Sequence, residues 1–365
     1  MHLNKWLALG AAGALSVGIA ACGSDSSSST STGGSGSSAS ATLNGAGSTF
    51  AAPLYSEWGN KVKDQGITVN YQPVGSGAGV AQLAAGTVNF AGSDPALTAD
   101  DTKTLTKGTP VQIPVALGAI TASYNLDGVK SGLKLDGATL ADIFLGKIKK
   151  WNDPAIAKLN PGISLPDSNI TVIHRSDESG TTKGFTTFLA AYSPEWNKTV
   201  GVDKTVKWPT GTGAKGNDGV AAAVKQTAGS IGYVEEAYAL QNNFTTADVK
   251  NSSGNFIAPT LESTTAAGDG VKIPKDLGVS VINSPNPQAY PISSQTFLDT
   301  YQDLCKGAGL SKDGAAGMVN FLDYVLGEGQ NVAKQLSYAP LPSSLLSASK
   351  GAVADLQCNG APAKG

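Results

Sequence analysis

The chain has 365 residues and a formal net charge of −2, enough for two globular halves and without the basic excess that a nucleic-acid binder of this size carries. Charged residues are only 15% of it and glycine reaches 45, a composition suited to an α/β protein with many tight turns. Among 26 basic residues a single arginine occurs, Arg175, and the only histidine besides His2 is His174.

Residues 1–21 read as a lipoprotein signal peptide. His2 and Lys5 give a weakly positive start, residues 7–20 an apolar stretch, and Ile19-Ala20-Ala21-Cys22 a lipidation box in which Cys22 takes the acyl (palmitate) chain. The alternatives are an ordinary cleaved signal or a short membrane anchor, although the run is short and glycine-interrupted for a transmembrane helix. Residues 22–41, rich in Gly, Ser and Thr, cannot bury a core and read as a flexible tether with a reach of roughly 20–25 Å. Cys305 and Cys358 remain as an even pair in an exported chain, which points to a disulfide rather than two free thiols. No Cys/His spacing suggests a metal site, and no cofactor is implied.

From residue 42 strand-like and helix-like segments alternate. Residues 42–47 read as a strand, 50–63 as a helix on Leu54, Trp58 and Val62, 67–73 as a strand, 77–85 as a helix and 88–92 as a strand. Residues 111–124 form a long apolar strand and 139–145 a short helix. Strand 170–175, helix 181–192, helix 219–227 and strand 230–234 follow. Residues 297–305 and 313–326 read as helices. This rhythm predicts open, mostly parallel sheets with helices on both faces, in which ligands bind at strand carboxyl ends near helix N-termini.

Three strand-to-helix loops share one chemistry: Gly45-Ala46-Gly47-Ser48-Thr49-Phe50, Gly75-Ser76-Gly77-Ala78-Gly79 and Ser179-Gly180-Thr181-Thr182. A helix N-terminus exposes unpaired N–H groups and about half a positive charge, and Ser and Thr add hydroxyl donors. Any one such loop reads equally as a plain helix cap. Three of them beside the single arginine point to an anion. Arg175 offers a planar donor fork that lysine lacks, and Asp177 can hold it. Asp94 follows a strand in Gly92-Ser93-Asp94-Pro95. It reads either as a helix cap before proline or as an acceptor for a proton carried by the ligand, which phosphate has and fully ionised sulfate lacks.

These segments, with Leu145-Gly146-Lys147-Ile148-Lys149-Lys150-Trp151-Asn152-Asp153-Pro154, Gly216-Asn217-Asp218-Gly219 and Gly229-Ser230-Ile231-Gly232-Tyr233-Val234, resemble the periplasmic phosphate-binding proteins of ABC phosphate importers. The likeness covers most of residues 41–344. It implies an α/β, two-lobed type II periplasmic-binding-protein fold, with hinge-connected mixed sheets flanked by helices. Lobe I would be residues 42–115 with 291–365 and lobe II residues 116–290, the chain crossing near Val115 and Tyr290. It further implies that phosphate is held by Thr49, Phe50, Ser76, Asp94, Arg175, Ser179, Gly180 and Thr181, with Asp177 supporting the arginine. The resemblance assigns no role to His174 and does not extend to the cysteine pair.

The expected function is therefore binding of inorganic phosphate by hinge closure and delivery to ABC phosphate permease subunits. The chain would act as a monomer on the outer face of the cell membrane or in the periplasm, touching membrane only through its lipid and binding no nucleic acid. The rivals are a receptor for another tetrahedral oxyanion, a phosphate sensor or surface adhesin, and a hydrolase built on Ser179, His174 and Asp177. The last lacks a G-x-S-x-G elbow and separated triad segments.

Overall fold

The structure, a computed structural model, describes residues 40–364. The expectations on the signal peptide, Cys22 and most of the tether lie outside the described residues. Eleven strands form the main sheet system: β1 (Ala41–Gly47), β2 (Ile67–Pro73), β3 (Phe90–Ser93), β4 (Pro110–Asn125), β5 (Leu133–Leu135), β6 (Thr171–Arg175), β7 (Thr212–Ala214), β8 (Ser230–Glu235), β9 (Thr245–Lys250), β10 (Phe256–Ile257) and β11 (Ser293–Tyr301). The main path runs β2-β1-β3-β11-β4-β8-β6-β7, with β9 joining β4, β5 and β10.

The sheet is mixed rather than mostly parallel. β1 pairs in parallel with β2 and β3, and β6 with β7 and β8. Between these two parallel groups lie antiparallel pairings of β11 with β3 and β4, and of β4 with β8. β4 joins the groups. Its residues from Pro110 to Ala119 pair with β11, and from Ile120 to Asn125 with β8. Nearly all sixteen residues are buried, so the strand reads as one apolar run. Pro114 cannot donate to a ladder, and it lies opposite Phe297 where the register slips between Thr296 and Phe297.

Residues 297–305 are not helical as expected. Phe297 to Tyr301 belong to β11, buried along its whole length and paired on both sides. Tertiary pairing decides here, because Thr, Phe and Tyr favour a pleated, buried surface. The other expected elements occur with shifted ends. The helix Ala52–Val62 buries Leu54, Tyr55, Trp58 and Val62. Ser76–Ala85, Gly137–Phe144, Gly216–Gln226 and Lys312–Val325 are helices, and Gly180–Tyr192 buries Phe185, Phe188 and Leu189.

The core lies on both faces of the sheet and is rich in aromatics. Trp58, Trp151 and Trp196 are fully buried, and each indole N–H donates to a carbonyl, of Gly329, Gly229 and Gly201, at 2.9 Å. Burying a large apolar side chain contributes roughly 1.5–3 kcal/mol, and Trp58 anchors in this way the helix Ala52–Val62 that follows the loop of residues 45–50. Cys305 and Cys358 are joined as a disulfide across 53 residues of sequence. No helix of the described residues is long and apolar enough to cross a membrane.

Candidate functional site

All eight residues expected to bind ligand meet in one buried cluster between the β1–β3 group and the β6–β8 group. Thr49, Phe50, Ser76, Asp94, Arg175, Ser179 and Thr181 are each at most 3% exposed. Thr49 and Phe50 follow β1, Ser76 follows β2 and Asp94 follows β3. Arg175 closes β6, and Ser179, Gly180 and Thr181 open the helix Gly180–Tyr192. Strand carboxyl ends from both groups therefore face one another.

The first group carries an acceptor end. Asp94 Oδ1 accepts from Ser48 Oγ at 2.6 Å and from Thr296 Oγ1 at 3.0 Å. Oδ2 has only Ser76 Oγ, at 3.4 Å, and so keeps room for another donor. Burial pushes Asp94 from 3.8 up to about 6, although the hydroxyls and the charge of Arg175 pull the other way.

The second group carries the cation. Arg175 Nε and Nη2 donate to Asp177 Oδ1 and Oδ2 at 2.7 and 2.6 Å, and Nη1 donates to Thr181 Oγ1 at 3.3 Å. Burial disfavours the Asp177 carboxylate, but its bonds and attraction to Arg175 more than offset that, and its pKa lies below the ordinary value. The Gly216 N–H donates to Asp177 Oδ1 at 3.1 Å. Ser179 Oγ accepts the Thr182 N–H at 3.0 Å, so it does cap its helix, and its own proton remains available.

The backbone supplies the rest. Among the described hydrogen bonds, the N–H groups of Thr49, Phe50, Ser76, Gly180 and Thr181 reach no protein acceptor. The last three lie in the first turn of their helices, where no intrahelical acceptor exists. Gly75, at φ 99°, aims the Ser76 helix at the opposite group, and a Cβ there would lie 2.7 Å from Asp177 Oδ2. The two groups already touch: the Gly77 N–H donates to the Glu178 carbonyl at 3.2 Å, and Lys204 Nζ to Asp101 Oδ1 at 2.8 Å.

Sequence reasoning missed several members. Ser48 stood inside a quoted motif without a role, as did Asn217, which is fully buried and reaches both Thr49 and Thr181. Tyr238 OH donates to the Thr49 carbonyl at 2.7 Å and Tyr338 OH to the Phe50 carbonyl at 2.6 Å, holding the loop from below. No local signal marks them, since they arrive from distant segments. The residues suggesting a hydrolase are engaged elsewhere. His174 Nδ1 contacts the Arg175 carbonyl at 3.0 Å while its ring stacks on Trp208, Asp177 holds Arg175, and Ser179 caps Thr182.

Two α/β groups whose strand ends and helix N-termini enclose one buried polar cluster define a solute receptor of the type II periplasmic-binding-protein class. The description of the PBP superfamily domain matches residues 30–328. The chain is 43% identical over 309 residues to the phosphate-binding protein PstS of Pasteurella multocida, covering 84% of this chain and 88% of that one. It is 37% identical to phosphate-binding protein PstS 3 of Mycobacterium leprae, covering 95% and 97%. The crystal structure of a phosphate-binding protein from Stenotrophomonas maltophilia shares the fold with a TM-score of 0.66 at 22% identity, over 86% of this chain and 94% of that one. The chain belongs to the PstS family of periplasmic phosphate-binding proteins.

Proposed function

We propose that this chain binds inorganic phosphate between two closing lobes and delivers it to the permease of an ABC phosphate importer, without catalysing a reaction. The observation that carries the reading is the donor–acceptor layout of the buried cluster. Five free N–H groups, Arg175 and several hydroxyls offer protons, while Asp94 Oδ2 is open to receive one. A tetrahedral anion that keeps one O–H satisfies both demands, and phosphate near neutral pH is such an anion. Fully ionised sulfate would leave Asp94 facing an unpaired like charge.

Thr49, Phe50, Ser76 and Asp94 would contact phosphate from lobe I, residues 42–115 with 291–365. Arg175, Ser179, Gly180 and Thr181 would contact it from lobe II, residues 116–290. The partner switch along β4 at Ala119 and Ile120 supports a hinge near that point. A ligand that touches both lobes binds the closed form better and shifts the population toward it. Micromolar affinity needs about 8 kcal/mol, which around ten charge-assisted hydrogen bonds supply net of desolvation. Export fits the family. Anchoring through lipidated Cys22 and action as a monomer complete the reading.

Calorimetric titration of the ligand-stripped protein with phosphate and with sulfate tests it. Micromolar or tighter phosphate binding, no sulfate heat at neutral pH, and loss of phosphate heat in Arg175→Ala are expected. Wild-type phosphate affinity in Arg175→Ala would sink the site assignment.

A further inference from the structure

Asn217 lies at the first turn of the helix Gly216–Gln226, on the Arg175 side, and makes four hydrogen bonds. Its backbone N–H and its Nδ2 donate to Thr49 Oγ1 at 3.1 and 2.9 Å. Nδ2 also donates to Thr181 Oγ1 at 3.2 Å, and Oδ1 accepts the Glu235 N–H at 3.0 Å. The last bond fixes the amide orientation, because a backbone N–H can only donate.

A hydroxyl has one proton and two acceptor sites. Both acceptor sites of Thr49 Oγ1 are filled by Asn217. Those of Thr181 Oγ1 are filled by Asn217 Nδ2 and Arg175 Nη1. Each hydroxyl is left with only its proton to offer. The two residues are 3% and 1% exposed, and among the described hydrogen bonds neither hydroxyl donates to a protein acceptor. A buried donor without a partner is costly, so both protons call for a ligand oxygen. The hydroxyls of Ser48 and Thr296 donate as well, but to Asp94 within the protein.

We propose that Asn217 is a positioning and specificity-determining residue. It makes the hydroxyls of Thr49 and Thr181 obligate donors toward the bound anion, and it ties them together across the two lobes when these meet. The inference rests on the phosphate-binding reading above. It adds a polarity rule: the end of the site at Thr49, Thr181 and Arg175 presents donors only, and the end at Asp94 presents the acceptor.

The test is a double-mutant cycle on the full, ligand-stripped protein, read by phosphate calorimetry and by the melting temperature without ligand. Asn217→Ala is expected to weaken phosphate binding about 10- to 100-fold, since each hydroxyl keeps only one of its two donors, the residue 217 N–H or Arg175 Nη1, and one acceptor site is left open. In a Thr49→Val, Thr181→Val background the same substitution is expected to change affinity less than about threefold, because no hydroxyl remains to orient. A purely structural role would lower the melting temperature and reduce affinity by the same factor in both backgrounds, which overturns the proposal, as does wild-type affinity in Asn217→Ala. Should the alanine variant not fold, Asn217→Ser takes its place in the cycle, since one hydroxyl cannot fill both threonine oxygens, and additivity again overturns the proposal. Failure of the wild type to bind phosphate removes the underlying reading. Wild-type binding with an additive cycle removes only the role of Asn217.

Discussion

Gly180 lies so close against Asp94 that a Cβ placed on it would stand 2.5 Å from the carboxylate Oδ2. The same atom would be 2.6 Å from Ser76 Oγ. No other residue type fits this seam while the two groups touch. Gly180→Ala is expected to hold the lobes apart and weaken phosphate binding about 10- to 100-fold, as overpacking of a closed interface does. Unchanged affinity by calorimetry would mean that the seam is not closed in the bound state.

Arg175 gives two of its three donor nitrogens to Asp177, which fixes the guanidinium plane and leaves Nη1 toward Thr181. Lysine can supply the charge but not this geometry. Arg175→Lys should weaken phosphate binding about 100-fold. Asp177→Asn should weaken it less, about tenfold, because the arginine stays but loses its orientation. A titration series on both variants checks the order of the two effects.

Asp94 gives the site its pH dependence. With its pKa pushed up to about 6, the folded, ligand-free protein holds a proton that the unfolded chain releases near 3.8. The folded state thus binds more protons in this window, and stability falls as pH rises from about 4 through 6. Buried Glu236, pushed from 4.5 up to about 8, acts with the same sign over that wider range and so extends the fall above pH 6. Melting curves of the ligand-free protein should show this fall, and Asp94→Asn should flatten its lower part. Below pH 6 the neutral Asp94 can donate to an anion, so sulfate binding should emerge there. In Asp94→Asn it should be present at all pH values. Sulfate binding by the wild type at pH 8 would contradict the selectivity argument.

Lys204 and Asp101 pair at 2.8 Å between segments of the two proposed lobes, with side chains only 11% and 16% exposed. A pair that bridges the two proposed lobes should slow their opening rather than speed encounter. Lys204→Met is expected to raise the phosphate dissociation rate roughly threefold to tenfold and to leave the association rate nearly unchanged. Stopped-flow measurements with a fluorescent reporter distinguish this from an effect on encounter.

The Cys305–Cys358 bridge closes a loop with a sequence separation of 53. Loop-closure entropy assigns such a bridge about 4 kcal/mol. Cys305→Ser with Cys358→Ser should lower the melting temperature by several degrees without changing phosphate affinity. A change in affinity would show that the C-terminal segment communicates with the site.

Local chemistry could be read from the residues alone. Glycine-flanked Ser and Thr at strand-to-helix junctions, and one arginine among lysines, are short-range features, so residues 45–50, 75–79 and 175–181 could be read as donors for an anion. The alternation of strands and helices was legible for the same reason. Features that depend on distant partners took shape only in the folded chain. Residues 297–301 became a strand because β3 and β4 flank them with unpaired edges. The order of antiparallel strands at the centre follows from β4 serving both groups. Whether Asp94 caps a helix or faces a ligand was open in the sequence. The structure shows that it caps no helix, since the next one begins at Ala99 behind its cap Thr98, and it brings Ser48, Thr296 and Gly180 around the carboxylate, all from distant segments. The polarity of Thr49 and Thr181 is likewise set by Asn217, 168 and 36 residues away, because a hydroxyl takes its direction from whatever already fills its lone pairs.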